Sequence, residues 1–370
     1  MTFLDFVFYM FILVVCIQVI FNLLFFGKFA FLKPSTKTPN NFGISVIICA
    51  KNEAKNLQKF LPSVVSQDYP NFEIVLINDA SKDKTFKVME SFASKHNNIK
   101  LVNVKNVEAF WGNKKYALTL GIKVAKHEHL LFTDADCKPL SKDWISQMAA
   151  YFDDSKTIVL GYGPYKKIKK SLLNKLIRFE TLQTAMQYLS FAKVGLPYMG
   201  VGRNLAYKKS EFFNANGFIS HIDVRSGDDD LFINQVATSN NTTICFSKDS
   251  FTQSIPKTTF TDWIKQKRRH ISTAKHYKFK HKVLLTLLYS SQLLFWLLAF
   301  VLLIFQFNWK IVLALLLFRL CLQFLVVGFS TKKLGEKDIL YLLPFLELFL
   351  ISVQLTIFIN NLISKPSHWK

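Results

Sequence analysis

The sequence predicts an α/β domain, built on a mostly parallel and doubly wound sheet, joined to helices long enough to cross a membrane. Three observations carry this. Between residues 44 and 133, short apolar β-branched runs alternate with segments of helical periodicity, the pattern of a parallel sheet covered on both faces. Polar residues gather where the apolar runs stop, at the strand ends where such sheets bind ligands. Long apolar stretches flank this region on both sides.

The apolar stretches come first in the chain. Of 370 residues, 50% are hydrophobic and 37 are Phe, too apolar a composition for two soluble domains. Residues 6–26, 283–305, 309–329 and 339–363 are each long enough to span a hydrocarbon core of about 30 Å as a helix. The first reads as a retained anchor, because residues 1–5 carry no basic group and no small-residue cleavage site follows Phe26. Lys28, Lys33 and Lys37 follow the first span, Lys275, Lys278, Lys280 and Lys282 precede the second, and Lys332, Lys333 and Lys337 separate the third from the fourth. Only Lys310, Lys365 and Lys370 fall on the opposite side. Loops that stay in the cytoplasm collect positive charge, which predicts a multi-pass protein of the cell (inner) membrane with both termini outside. The expected division is an anchor over 1–32, a cytoplasmic domain over 33–282 and a three-helix membrane region over 283–370. Five cysteines without framework spacing fit a reducing compartment. The net charge of +22 lies beside the spans and lacks an aromatic-interleaved recognition motif, so membrane lipids are the expected partner and nucleic acid is not.

Within the cytoplasmic region, residues 44–50 read as a buried strand. Leu57, Phe60, Leu61, Val64 and Val65 recur at helical spacing and stop at Tyr69-Pro70. Strands are expected over 72–77, 99–104 and 130–133, with helices around Val88, Met89 and Phe92 and over 114–124. The last strand ends at Asp134-Ala135-Asp136. Alternate side chains of an extended chain share a face, so Asp134 and Asp136 can meet one cation, and hard oxygen ligands suit Mg²⁺ or Mn²⁺. The bland alternative is a solvated turn.

Ser45 to Glu53, Gln67-Asp68-Tyr69-Pro70, Leu76 to Ser81 with Asp83 and Thr85, and Thr133 to Asp136 together resemble the family 2 inverting glycosyltransferases. The resemblance covers about residues 44–277. It implies a GT-A fold and a nucleotide-sugar donor. Ala50 and Glu53 are then expected at the nucleotide base, Asp79 at the uracil or ribose, Lys114 of Gly112-Asn113-Lys114 at the donor, and Asp134 and Asp136 at the metal on the diphosphate. Turn chemistry alone also accounts for an acid at Asp79. Family members carry paired acids where this chain has Ser226-Gly227-Asp228-Asp229-Asp230, which implies Asp229 as catalytic base with Asp228 beside it. Neighbouring carboxylates repel, so one of them should hold its proton more tightly. Arg203, in Met199 to Asn204, joins the expected acceptor and diphosphate group.

Gln266-Lys267-Arg268-Arg269-His270 resembles the Gln-x-x-Arg-Trp signature of membrane-bound members, with His270 in place of Trp. Gln266 and Arg269 can serve oxyanions, while His270 offers a smaller stacking surface to an acceptor. The basic stretch at 166–175 leads into an amphipathic helix, either on the membrane surface or with a solvated face. Arg319 and Glu347 lie at similar depth in the third and fourth spans and are expected to pair. The expected activity is transfer of a sugar to a lipid-linked or membrane-proximal glycan acceptor. The alternatives are a processive polysaccharide synthase, a nucleotide-binding membrane partner of another transferase, and a metal-dependent nucleotidyltransferase. Donor sugar, linkage and oligomeric state stay open.

Overall fold

The computed structural model describes residues 2–34, 37–38, 40–105, 114–224 and 226–363. The chain opens with α1 (Phe3–Ile20), passes through a π-helical stretch (Phe21–Phe26) and reaches α2 (Gly27–Ala30). Next come β1 (Ile44–Ala50), α3 (Ala54–Val65), β2 (Phe72–Asp79), α4 (Thr85–Ala93), β3 (Ile99–Val104), α5 (Lys114–Val124) and β4 (His129–Phe132). β5 (Cys137–Pro139), α6 (Trp144–Ala149) and β6 (Ile158–Leu160) precede the long α7 (Leu172–Lys193). β7 (Leu205–Lys208), α8 (Lys209–Asn214), α9 (Asp230–Val236), β8 (Thr242–Ile244) and β9 (Thr252–Ser254) follow. The chain ends in α10 (Phe260–Ile271), α11 (Phe279–Ile304), α12 (Trp309–Leu334) and α13 (Leu343–Ile363). These elements form two compact units, one from residues 34–169 and 197–257, the other from 1–33, 170–196 and 258–367.

The first unit is a sheet of order β3-β2-β1-β4-β7-β6-β8. β1 pairs in parallel with β2 and β4, so Ile44 stands level with both Phe72 and His129. Strand order reverses at β1, which opens a crevice beyond the ends of β1 and β4. Val46, Ile48, Ile74, Leu76 and Leu131 pack with Leu57 and Leu61 of α3 and with Trp144 and Met148 of α6 in one core. That two-sided burial explains why these strands read as unbroken apolar runs.

β2 extends two residues past its expected end, because Asn78 Nδ2 donates to Asn103 Oδ1 at 2.8 Å and so remains paired within the sheet. β4 is shifted by one residue from 130–133, though Thr133 N still donates to Ile47 O at 3.3 Å. Beyond Trp144 the sequence predicts no strand, yet β6, β7 and β8 complete the sheet and β5 pairs with β9. Strands of three or four residues are too short to show a period.

The second unit holds four stretches long and apolar enough to cross a membrane: Phe3–Ala30, Phe279–Ile304, Trp309–Leu334 and Lys337–Ile363. Thr2 and Asp5 form a capping box that starts α1, and Gly335, at φ +77°, ends α12. Pro344 stands at the second residue of α13, where a missing N–H costs no helix bond, so it opens that helix rather than bending it. The predicted ion pair forms. Arg319 Nη2 and Nη1 donate to Glu347 Oε1 and Oε2 at 2.6 and 2.8 Å, and Gln18 and Gln323 accept from the same guanidinium.

α7 packs against the π-helical stretch, α2 and α13. Its Leu176, Ile177, Phe179, Leu182, Ala185, Met186, Leu189 and Phe191 are all buried, so a solvated face does not describe it. The buried Arg178 pairs with Glu336 and Asp338, and Glu180 pairs with Lys267 of α10.

Candidate active site

One half of the candidate site is built by two strand-end loops tied to each other. After β1, Asn52 N donates to Ser81 Oγ at 3.0 Å, and Lys82 N returns a bond to Asn52 Oδ1 at 2.8 Å. Glu53 N donates to Thr85 Oγ1, and Ala54 N to Asp83 Oδ2. Asp83 and Thr85 are thus loop fasteners. Ala80 sits at φ +47°, a conformation that costs a residue with a Cβ, and this cross-stitching holds it. Ala50 is buried at the end of β1, and Asp79 ends β2 with Lys51 Nζ 3.6 Å away. Glu53 Oε2 accepts from Asn56 at 2.6 Å.

Asp134 and Asp136 follow β4, and Cys137 starts β5. One ligand atom from each of these three lies within 4.8 Å of the others, so the set fits a single divalent ion, with the two carboxylates as its hard ligands. Burial, and then the charge of Asp134, raises Asp136 to about 6. Arg203 stands among the same groups. Its guanidinium lies 4.4 Å from the Tyr165 ring centre and donates to Ser254 Oγ at 3.0 Å, while its carbonyl accepts from Thr252 Oγ1 at 2.7 Å. β9 therefore positions Arg203, a support with no signal in the sequence.

The acid triplet lies at the start of α9 and its members differ sharply in environment. Lys114 Nζ is 2.8 Å from Asp228 Oδ2 and 3.4 Å from Asp134 Oδ1, so one lysine bridges the triplet and the β4 end. Burial opposes the ammonium, but Asp228 and Asp134 hold it charged, well above the usual lysine value. In turn, burial works against the Asp228 carboxylate, but Lys114 outweighs it and holds the carboxyl below its ordinary value.

Among the described residues no such cation is in contact with Asp229; Gly202 N donates to its Oδ2 at 2.6 Å and Asp230 N to its Oδ1 at 2.8 Å. Burial first, then the charges of Asp228 and Asp230, push it up to about 7. Two glycines make this possible. A Cβ on Gly202 would stand 3.3 Å from Asp229 Oδ2, and Gly227 has φ +91°. Asp230 is buried as the first residue of α9.

Lys114, Thr133, Asp134, Gly202, Asp228 and Asp229 line one cavity, with Cys49 and Tyr207 among its walls. Gly112 and Asn113 of the lysine motif lie outside the described residues. Gln266, Arg269 and His270 lie on α10, in the other unit. On that helix Lys267 pairs with Glu180, and Arg268 Nε donates to Asn361 Oδ1 at 2.9 Å, so the residues between the motif positions are its anchors.

Residues 45–215 match the family described as Glycosyl transferase family 2. A stretch of 94 residues is 37% identical to a poly-beta-1,6-N-acetyl-D-glucosamine synthase of Staphylococcus epidermidis, covering 25% of this chain and 22% of that protein. Another, of 118 residues, is 30% identical to the poly(ribitol-phosphate) beta-N-acetylglucosaminyltransferase TarS of Staphylococcus aureus, covering 31% of this chain and 20% of that protein. The chain thus matches only about a fifth of the length of these curated relatives. Among solved structures, the mannosyltransferase PcManGT of Pyrobaculum calidifontis, in complex with GDP-Man and Mn²⁺, is similar with a TM-score of 0.58 at 18% identity, over 90% of this chain and 99% of that one. That likeness speaks to fold, which is GT-A, and the family match supports a family 2 glycosyltransferase domain on it.

Proposed function

We propose that the chain is a membrane-bound inverting glycosyltransferase, which moves a sugar from a nucleotide-diphosphate sugar to a lipid-linked or membrane-proximal glycan acceptor at the cytoplasmic face. The observation that carries this reading is the split between adjacent acids. Lys114 keeps Asp228 ionised, while Asp229 is raised to about 7 in the same cavity, the range of a useful general base. Asp229 takes the proton of the acceptor hydroxyl, and that oxygen attacks the anomeric carbon from the face opposite the leaving diphosphate. Ala50, Glu53 and Asp79 hold the nucleoside at the strand ends. Lys114 and Arg203 face the negative charge that grows on the leaving group. Asp134 and Asp136 would hold Mg²⁺ or Mn²⁺, which would supply further neutralisation of that diphosphate. Gln266, Arg269 and His270 serve the acceptor and diphosphate from α10.

Membrane attachment rests on the four apolar stretches, and the cytoplasmic placement on the lysines that flank them. A processive synthase is the second reading, favoured by the stretch shared with a polysaccharide synthase. Product length separates the two.

The test is release of nucleoside diphosphate from a panel of nucleotide sugars by the detergent-purified protein with Mn²⁺ or Mg²⁺. Turnover with one donor should fall at least about a hundredfold in both Asp136→Ala and Asp229→Asn. Release of pyrophosphate instead would identify a nucleotidyltransferase, and full activity in Asp229→Asn would remove that residue as base.

A further inference from the structure

Two adjacent lysines open α5, and they turn to different partners. Lys114 reaches the Asp228 carboxylate. Lys115 turns into the interior, where it is only 1% exposed, and its ammonium meets three acceptors on one short stretch of chain. Its Nζ donates to His221 O at 2.6 Å and to Val224 O at 2.8 Å, and lies 2.8 Å from His221 Nδ1. An ammonium has no lone pair, so Nδ1 accepts and the His221 ring is neutral with its proton on Nε2. An ammonium with three donors is thereby saturated. Breaking the set would leave a buried charge without partners, which makes the arrangement stiff.

The stretch so held is the one that leads into the acids. Among its described residues a single 3₁₀ turn, Ile219–His221, gives it regular structure before Gly227 and Asp228. α5 itself packs on β1 and β2, the centre of the parallel sheet. The neighbouring group Lys114 fixes one carboxylate oxygen, and Gly202 fixes Asp229 from the opposite side. Lys115 ties the main chain that enters the loop to α5, while Ser220 Oγ, which donates to Gln235 Oε1 at 2.7 Å, ties its start to α9.

We propose that Lys115 is a positioning residue for the base: by tying the backbone of His221 and Val224 to α5, it fixes where Asp228 and Asp229 stand relative to the β4 end. This rests on Asp229 being the base. It differs from a role in donor binding, because Lys115 is spent on backbone acceptors and does not line the cavity. Its loss should therefore disturb turnover far more than donor affinity.

The experiment has two arms, both on the full chain in detergent. In the first, hydrogen exchange of the peptides covering 219–229 is compared between wild type, Lys115→Met and Lys115→Arg, with no ligand present. Exchange there should quicken by about tenfold or more in Lys115→Met while β1, β2 and β4 keep their protection, and Lys115→Arg should restore most of it. In the second, kcat for nucleoside diphosphate release should fall by about tenfold to a hundredfold in Lys115→Met, with donor KM within about threefold of wild type.

Unchanged exchange over 219–229 overturns the proposal, as does quickened exchange with wild-type kcat. A KM that rises in step with the loss of kcat/KM, at unaltered kcat, would mark Lys115 as a donor ligand and also overturn it. If Lys115→Met does not fold, His221→Ala removes one acceptor and decides by the same two readouts. Absence of turnover in the wild type counts against the transferase reading, and the exchange arm alone then decides the clamp.

Discussion

Asp229 shows what burial does to a carboxylate that has no cation in contact among the described residues. Its folded value of about 7 lies well above the value near 4 of an unfolded aspartate, so the folded chain binds this proton more tightly. Stability from this group is therefore fullest below about pH 4 and is lost as pH rises through about 7, whereas the base it provides works only above that range. Asp229→Asn should raise the thermal unfolding midpoint at pH 8, the gain should shrink towards pH 5, and turnover should vanish at both. Tryptophan fluorescence on heating reads the first and the donor assay the second. A midpoint lowered at pH 8 would mean that the bonds from Gly202 and Asp230 outweigh the buried charge. Lys114 holds Asp229 down, so Lys114→Met should move the acid limb of the rate profile to higher pH. At this scale much was legible. Asp134 and Asp136 stand out where an apolar run ends, and Asp228 and Asp229 through the paired acids of the family that the chain resembles. Lys115 was not legible, since a lysine at the start of a helix reads as solvated until its distant acceptors, more than a hundred residues away, are known.

Elements follow a similar rule: what depended on near neighbours could be read, and what depended on remote partners could not. β1 and β2 announce themselves by unbroken apolar runs buried on both faces, and β4 by the short apolar run Leu130-Leu131-Phe132. β6, β7 and β8 are recruited by pairing alone and carry too few residues to signal it. α7 is the largest surprise, because Arg178 and Glu180 look like a polar helix face while their partners stand on the loop before α13 and on α10. The ion pair between α12 and α13 gives a measurable consequence. Arg319→Leu leaves Glu347 buried beside Trp296 and Gln323 without its cation, which should cost about 3–5 kcal/mol in detergent. The double variant with Glu347→Leu should recover most of it, and a double variant as unstable as the sum of the singles would show that the two side chains do not act as a pair. In the sheet unit, Asn204 accepts from Trp144 and donates to the carbonyls of Tyr162 and Ser250. Asn204→Leu strands all three groups, so the loss should reach several kcal/mol by thermal unfolding.

For the molecule as a whole, charge and apolar length make a joint prediction about sidedness. A cysteine placed at Gln306, between α11 and α12, should react with an impermeant maleimide on intact cells, and one at Lys280 only after the membrane is opened. The reverse labelling would invert the orientation and with it the compartment of the catalytic cavity. The chain also alternates between its two units, since α7 interrupts the sheet unit between residues 169 and 197. β4 pairs with β1 on one edge and, antiparallel, with β7 on the other, so half of its hydrogen bonds wait for chain made after α7. During synthesis the early strands must therefore persist with an open, apolar edge, a state prone to aggregation. Trimming from either terminus cannot isolate the sheet unit: a cut at Lys169 exposes that edge and discards Asp228 and Asp229. The sheet unit by itself calls for internal excision, with residue 169 joined to 197 through a flexible linker.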